Sequence, residues 1–231
     1  MRIASFDVGK KNFAQYVEEI DVDAIKELEA RYKALPRSQQ RRVKGVMNDE
    51  VKEILDALCC AGKRVQMGVY DLRSEECKAN NSKGVDMQTR KNVIAHLESH
   101  ATLWSTCDIF VIEQQFVSTF TPRGRKNPTT QANIDAIKIG ELVIGWFLMQ
   151  YPFKEIVHYG AQFKTQILGA PNSLNKYQRK KWAVAKATEI FIARSDNEAL
   201  RQMKGKKKQD DVADACIQCQ AFKYREMVAL F

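Results

Sequence analysis

The order in which strand-like and helix-like patterns follow one another most restricts what this chain can fold into. Residues 3–8 are largely apolar, Gly9, Lys10, Lys11 and Asn12 have turn chemistry, and residues 13–20 read as a strand, so the chain opens as a hairpin. Two helical patterns follow within residues 21–62, separated by Pro36, Arg37 and Ser38. In the second, Val51, Ile54, Leu55 and Leu58 fall at i, i+3, i+4 and i+7 and make one apolar stripe. Strand character returns at 63–72. Residues 86–103 read as a helix, and 108–114 as a short apolar strand that ends in a carboxylate, Glu113. Residues 119–130, with Pro122, Gly124 and Pro128, read as a basic loop. A long helix is expected at 131–150 and a fifth strand at 154–159. The remainder reads as helical apart from a lysine-rich loop at 204–208.

Three strands, helix, strand, helix, strand and then helices is the order of a ribonuclease-H-like α/β fold. The expected architecture is a five-stranded mixed sheet flanked by helices, with residues 21–62 a helical insertion between strands 2 and 3. A chain of 231 residues suits a single domain over 1–231. Lys and Arg number 37 against 28 Asp and Glu, a formal charge of +9. That balance favours partners dense in negative charge, nucleic acid before acidic membrane surfaces. The longest apolar stretch, 142–149, is far shorter than the roughly 20 residues that span a bilayer. No secretory leader is visible, and six cysteines lack the density of a disulfide framework. The expected setting is therefore intracellular, whether viral factory, host cytoplasm or nucleus, with no membrane partner.

Four acids stand at element ends. Asp7 closes the first strand and Glu113 the fourth, while Asp211 and Asp214 lie at i and i+3 and share a helix face. Taken singly, Asp7 before Gly9 fits a turn residue and Asp211 a helix N-cap. Glu113 is harder to read that way, because the apolar run 109–112 must be buried and an unpartnered buried charge is costly. Carboxylates gathered together repel unless cations intervene. Hard oxygen donors suit Mg²⁺ or Mn²⁺ rather than zinc, and two such ions roughly 4 Å apart support phosphodiester hydrolysis. A salt link already neutralising the acids, or an Asp7 remote from Asp214, would count against this reading.

The segments Phe6-Asp7-Val8-Gly9, Val111-Ile112-Glu113-Gln114-Gln115-Phe116 and Asp211-Val212-Ala213-Asp214-Ala215 resemble the three acidic motifs of RuvC-like Holliday junction resolvases. Residues 162–169, continuing to Asn175 and Lys176, resemble the lysine-bearing segment of that family. The wording around Glu113 and the long helix is nearest the poxvirus type and its relatives in other large DNA viruses. The resemblance covers nearly the whole chain except 21–62. It implies a homodimeric, metal-dependent endodeoxyribonuclease that makes paired cuts in four-way DNA junctions, without a nucleotide cofactor. It also implies Asp7, Glu113, Asp211 and Asp214 as ligands of Mg²⁺ or Mn²⁺, two per site. Asp210 is an alternative to Asp211, since it too shares a face with Asp214. Lys164 would offset charge at the scissile phosphate, and Phe116 would stack on bases at the branch point.

Three basic clusters flank these elements and are candidate contacts to the DNA backbone: Arg123, Arg125 and Lys126; Lys176, Arg179 and Lys180; Lys206, Lys207 and Lys208. Arg37, Arg41, Arg42 and Lys44 make the insertion either a DNA-contacting arm or a solvated helix face. The resemblance implies pairing through the helix at 131–150, whose apolar residues exceed what one sheet face can cover. Cys216 and Cys219 have no second pair and read as buried thiols, and His96, His100 and His158 form no ligand pattern. Two other readings stand beside the resolvase: a ribonuclease-H-like nuclease acting on flaps, forks or RNA–DNA hybrids, and a non-catalytic binder of branched DNA.

Overall fold

Alternation along the strands sorts side chains into two cores, one on each face of a single sheet. In β1 (Arg2–Asp7), Ile3 enters one core while Ala4 and Phe6 enter the other. β2 (Phe13–Ile20) runs antiparallel to it and is buried almost throughout. The computed structural model describes residues 1–40, 46–81, 84–115, 117–120, 129–160, 164–204 and 209–229, with backbone alone for 117–120 and 129–131.

After β2 come α1 (Val22–Ala34), α2 (Arg37–Gln40) and α3 (Asp49–Cys60), and then β3 (Gly62–Tyr70). Asp21 and Asn48 cap α1 and α3 by accepting from the first free backbone N–H groups. The insertion thus holds a short third helix where the sequence shows only a break. The apolar stripe of α3 is buried as its spacing requires, and Ile25, Leu28 and Tyr32 of α1 join the same core. Tyr32 meets Tyr224 edge-on at 5.8 Å between ring centres. The insertion is therefore part of the main core. Arg37 is exposed on α2, and Arg41, Arg42 and Lys44 lie outside the described residues.

α4 (Glu75–Asn80), α5 (Met87–Ser99) and α6 (Ala101–Ser105) lead to β4 (Ile109–Gln114), which pairs parallel to β1. The two ends of the stretch expected to be a basic loop are strands: β5 (Val117–Phe120) pairs antiparallel with β6 (Thr129–Ala132). Residues 121–128 lie outside the described residues. The ribbon takes the first residues assigned to the long helix, so α7 (Ile134–Gln150) starts at the Asn133 cap. β7 (Glu155–Gly160) adds parallel to β4. The main sheet has the order β3-β2-β1-β4-β7 and is mixed, as expected.

The chain continues through α8 (Lys164–Ile167), α9 (Lys176–Ala193), α10 (Asn197–Met203) and α11 (Gln209–Phe222), ending in a π-helical segment, Lys223–Ala229. A reciprocal capping box between Asn175 and Gln178 starts α9. The helices α9 and α11, with the insertion, cover one face of the sheet. The helices α5 and α7 cover the other, where Phe110 and Phe147 stack at 4.0 Å. The outward side of α7 leaves Ile134, Leu148 and Met149 exposed. Among the described residues, no helix is long and apolar enough to cross a membrane.

Candidate active site

Strand parity carries two of the four acids to one place. Asp7 follows Ile3 and Ser5 on the face covered by α11, and Glu113 follows Ile109 and Val111 on the same face. Because β1 and β4 are parallel neighbours with Phe6 opposite Ile112, the two carboxylates end side by side. Asp7 hydrogen-bonds Glu113. α11 brings Asp214 over the pair, and α8 delivers Lys164 into the middle.

The Lys164 Nζ donates to Glu113 Oε1 at 2.8 Å and lies 3.9 Å from Asp214 Oδ1. On the other side, Gln115 Nε2 donates to Glu113 Oε2 at 2.6 Å. Lys164 and Glu113 are each 7% exposed, so these charges act on one another with little screening by water. Burial, then the neighbouring Glu113 charge, pushes the Asp7 carboxyl well above its ordinary range. Burial also raises Asp214, against the opposing pull of Lys164. Burial would raise Glu113 as well, but the Lys164 ammonium and three hydrogen bonds hold it below its ordinary value. Lys164 is raised despite its burial, because Glu113, Asp214 and Asp7 all favour its charged form.

Lys164 does make a salt link of the kind that would count against a cation centre. It engages Glu113 directly and reaches Asp214, so it restrains two of the three carboxylates. In kind and charge the donor set fits a divalent cation of the Mg²⁺ or Mn²⁺ type. As arranged, the oxygens surround an ammonium. Among the described residues, no three acidic, histidine or cysteine side chains form a ready chelate.

Asp211 is buried one turn before Asp214, 8% exposed. Asp210 is taken up by an ion pair with Lys180, across α11 and α9. Lys176 and Arg179 are exposed on the first turns of α9, where Lys180 is partly covered. Phe116, Arg123, Arg125, Lys126, Lys206, Lys207 and Lys208 lie outside the described residues.

Sequence reasoning missed Gln115 and Gln218. Gln115 sits two residues beyond Glu113, at the same strand parity, which was the available signal. Gln218, four residues after Asp214, donates to Ser5 Oγ, Phe6 O and Val111 O. Cys216 and Cys219 are buried free thiols in α11, as read from their spacing.

The sheet order and its flanking helices define a ribonuclease-H-like fold. No family model matches the sequence. RuvC from Thermus thermophilus has a TM-score of 0.53 with this chain at 13% identity, over 98% of this chain and 96% of that one. The fold is thus RuvC-like, as the motifs implied. Two viral proteins are similar in sequence. Uncharacterized protein 170L of Invertebrate iridescent virus 6 is 26% identical over 96% of this chain and 88% of its own length. Uncharacterized protein 97L of Invertebrate iridescent virus 3 is 25% identical over 95% of this chain and 98% of its own length.

Proposed function

We propose that this chain is a metal-dependent endodeoxyribonuclease that resolves four-way DNA junctions by paired cuts, acting as a homodimer. One observation carries the reading: three carboxylates from β1, β4 and α11, Glu113 buried and Asp7 and Asp214 partly buried, converge around a single ammonium, an arrangement that costs stability. The order and spacing of the acidic motifs, which resemble those of RuvC-like resolvases, supply the substrate class.

Asp7, Glu113 and Asp214, with Asp211 one turn away, would hold Mg²⁺ or Mn²⁺, two per site; bound there, such ions activate a water and stabilise the leaving oxygen. Asp211 is preferred over Asp210, whose carboxylate is engaged by Lys180. Lys164 keeps a positive charge at the centre of the site, where it offsets negative charge building on a phosphate. Gln115 orients Glu113 by holding one of its oxygens. The exposed Lys176 and Arg179 would contact the DNA backbone, joined by Lys180 once its link to Asp210 opens. Phe116 keeps the base-stacking role that its motif position implies, and Arg123, Arg125, Lys126, Lys206, Lys207 and Lys208, which flank the acid-bearing elements in the sequence, would contact the DNA backbone. Pairing of two chains through the exposed side of α7, at Ile134, Leu148 and Met149, suits a substrate of two-fold symmetry.

The test offers a synthetic four-way junction, a flap and an RNA–DNA hybrid side by side, with and without Mn²⁺. Symmetric paired nicks in the junction are expected. Preferential cutting of the flap or hybrid would replace the substrate, and metal-independent binding without cutting would make the chain a branch-binding protein.

A further inference from the structure

We propose that Gln218 is the positioning residue that registers the acidic helix against both acid-bearing strands, and so sets how Asp214 meets Asp7 and Glu113. The inference rests on reading the site as a divalent-cation centre. Gln218 is fully buried one turn beyond Asp214, on the same face of α11. Its Nε2 lies 3.2 Å from Ser5 Oγ, 3.1 Å from Phe6 O and 3.2 Å from Val111 O. Two of these acceptors are carbonyls, which can only accept, so the amide has one possible orientation. Phe6 adjoins Asp7, and Val111 lies two residues before Glu113 on the same strand face. A single amide therefore touches the backbone of both strands immediately behind their carboxylates.

Gln218 Oε1 is buried and has no hydrogen-bond partner among the described residues. A position serving only to fill the core would avoid that cost with an apolar side chain of similar length, such as methionine. The amide is explained by what its donor holds in place. Outer contacts of this kind decide whether oxygen donors meet at one point.

Gln218→Met keeps the length and removes the donor. By calorimetry without DNA, the variant is expected to bind Mn²⁺ about tenfold more weakly than the wild type. The Mn²⁺ concentration for half-maximal cleavage should rise by the same factor, with junction affinity in the absence of metal unchanged. Unchanged Mn²⁺ affinity with a lowered melting temperature would show a core filler and overturn the assignment. Should Gln218→Met fail to fold, Ser5→Ala removes one acceptor of the same contact; about threefold weaker Mn²⁺ binding supports the role, and none overturns it. Wild-type protein that binds no Mn²⁺ would overturn the cation-centre reading itself, and Gln218's role with it.

Discussion

Glu18 and Glu113 are both carboxylates buried on the α11 side of the sheet, in adjoining stretches of the same core, and their surroundings differ in kind. Glu18 accepts from Tyr16 Oη at 2.7 Å, from Arg194 Nη1 and Nη2 at 2.8 and 3.1 Å, from Gln220 Nε2 at 2.7 Å, and from Lys223 Nζ. Arg194 and Lys223 also donate to Cys59 O and Leu58 O, so the group ties β2, α3, the end of α9, α11 and the π-helical segment together. Even Gly62 is shaped by it: a Cβ there would stand 2.1 Å from Glu18 Oε1. Burial opposes the Glu18 charge, but Lys223 and Arg194 override it and lower its pKa to about 2. Around Glu113 the ratio is reversed, three carboxylates to one ammonium, and Asp7 is pushed up instead of down. One cluster is internally satisfied and holds the fold together. The other is short of positive charge, and that deficit is what a divalent cation would fill.

The sharpest way to break the comparison is to neutralise one acid in each cluster. Asp7→Asn should lower junction cleavage by at least about a hundredfold while leaving junction binding and melting temperature unchanged or improved, and Glu113→Gln, which also takes the nearest counter-charge from Lys164, should lower cleavage as far. Normal cutting by either variant with metal present would remove the metal-site reading. Glu18→Gln should do the opposite to stability. It strands Arg194 and Lys223 without a counter-charge and should cost about 3–5 kcal/mol in urea unfolding. A loss below about 1 kcal/mol would deny the network its structural role.

Acid titration of stability sharpens the same contrast with a smaller effect. The Glu18 pKa is about 2 when folded against 4.5 otherwise, so the unfolded chain takes up the proton first as pH falls. Its contribution is complete above about pH 4.5 and is lost as pH drops toward 2. His96 adds a second window: burial, then His100, lowers it from 6.5 to about 4. The unfolded chain again binds the proton at the higher pH, so stability should already decline between about pH 6.5 and 4, and His96→Phe should flatten that part of the curve. Urea midpoints measured across pH 7 to 3 read both. The smallest expected change is at the surface. Arg179→Ala should leave stability untouched and reduce the salt slope of junction binding by about one; an unchanged slope would take α9 off the DNA.

Much of the candidate site was legible because its residues obey local periodicities. Asp7 and Glu113 end apolar strands, and Asp211 and Asp214 repeat at helical spacing, so each announces its own element. The ribbon β5–β6 was illegible because each strand is only four residues long, too short for a period-two pattern to stand out beside the Pro and Gly signals of 121–128. The Glu18 network was overlooked for a different reason. A single Glu in β2, an Arg after α9 and a Lys after α11 are 176 and 205 residues away along the chain from that Glu, and nothing local relates them.

By itself the sequence determined the order of the five strands of the main sheet and which acids sit at strand and helix ends, since these follow from short-range geometry and hydrophobic pattern. Only the tertiary structure decided that the insertion belongs to the core, that Lys180 claims Asp210, and that Lys164 pairs directly with Glu113. Those outcomes depend on which distant segments share one volume, and charge pairing in a dry interior depends on separations of a few ångströms that no spacing along the chain encodes.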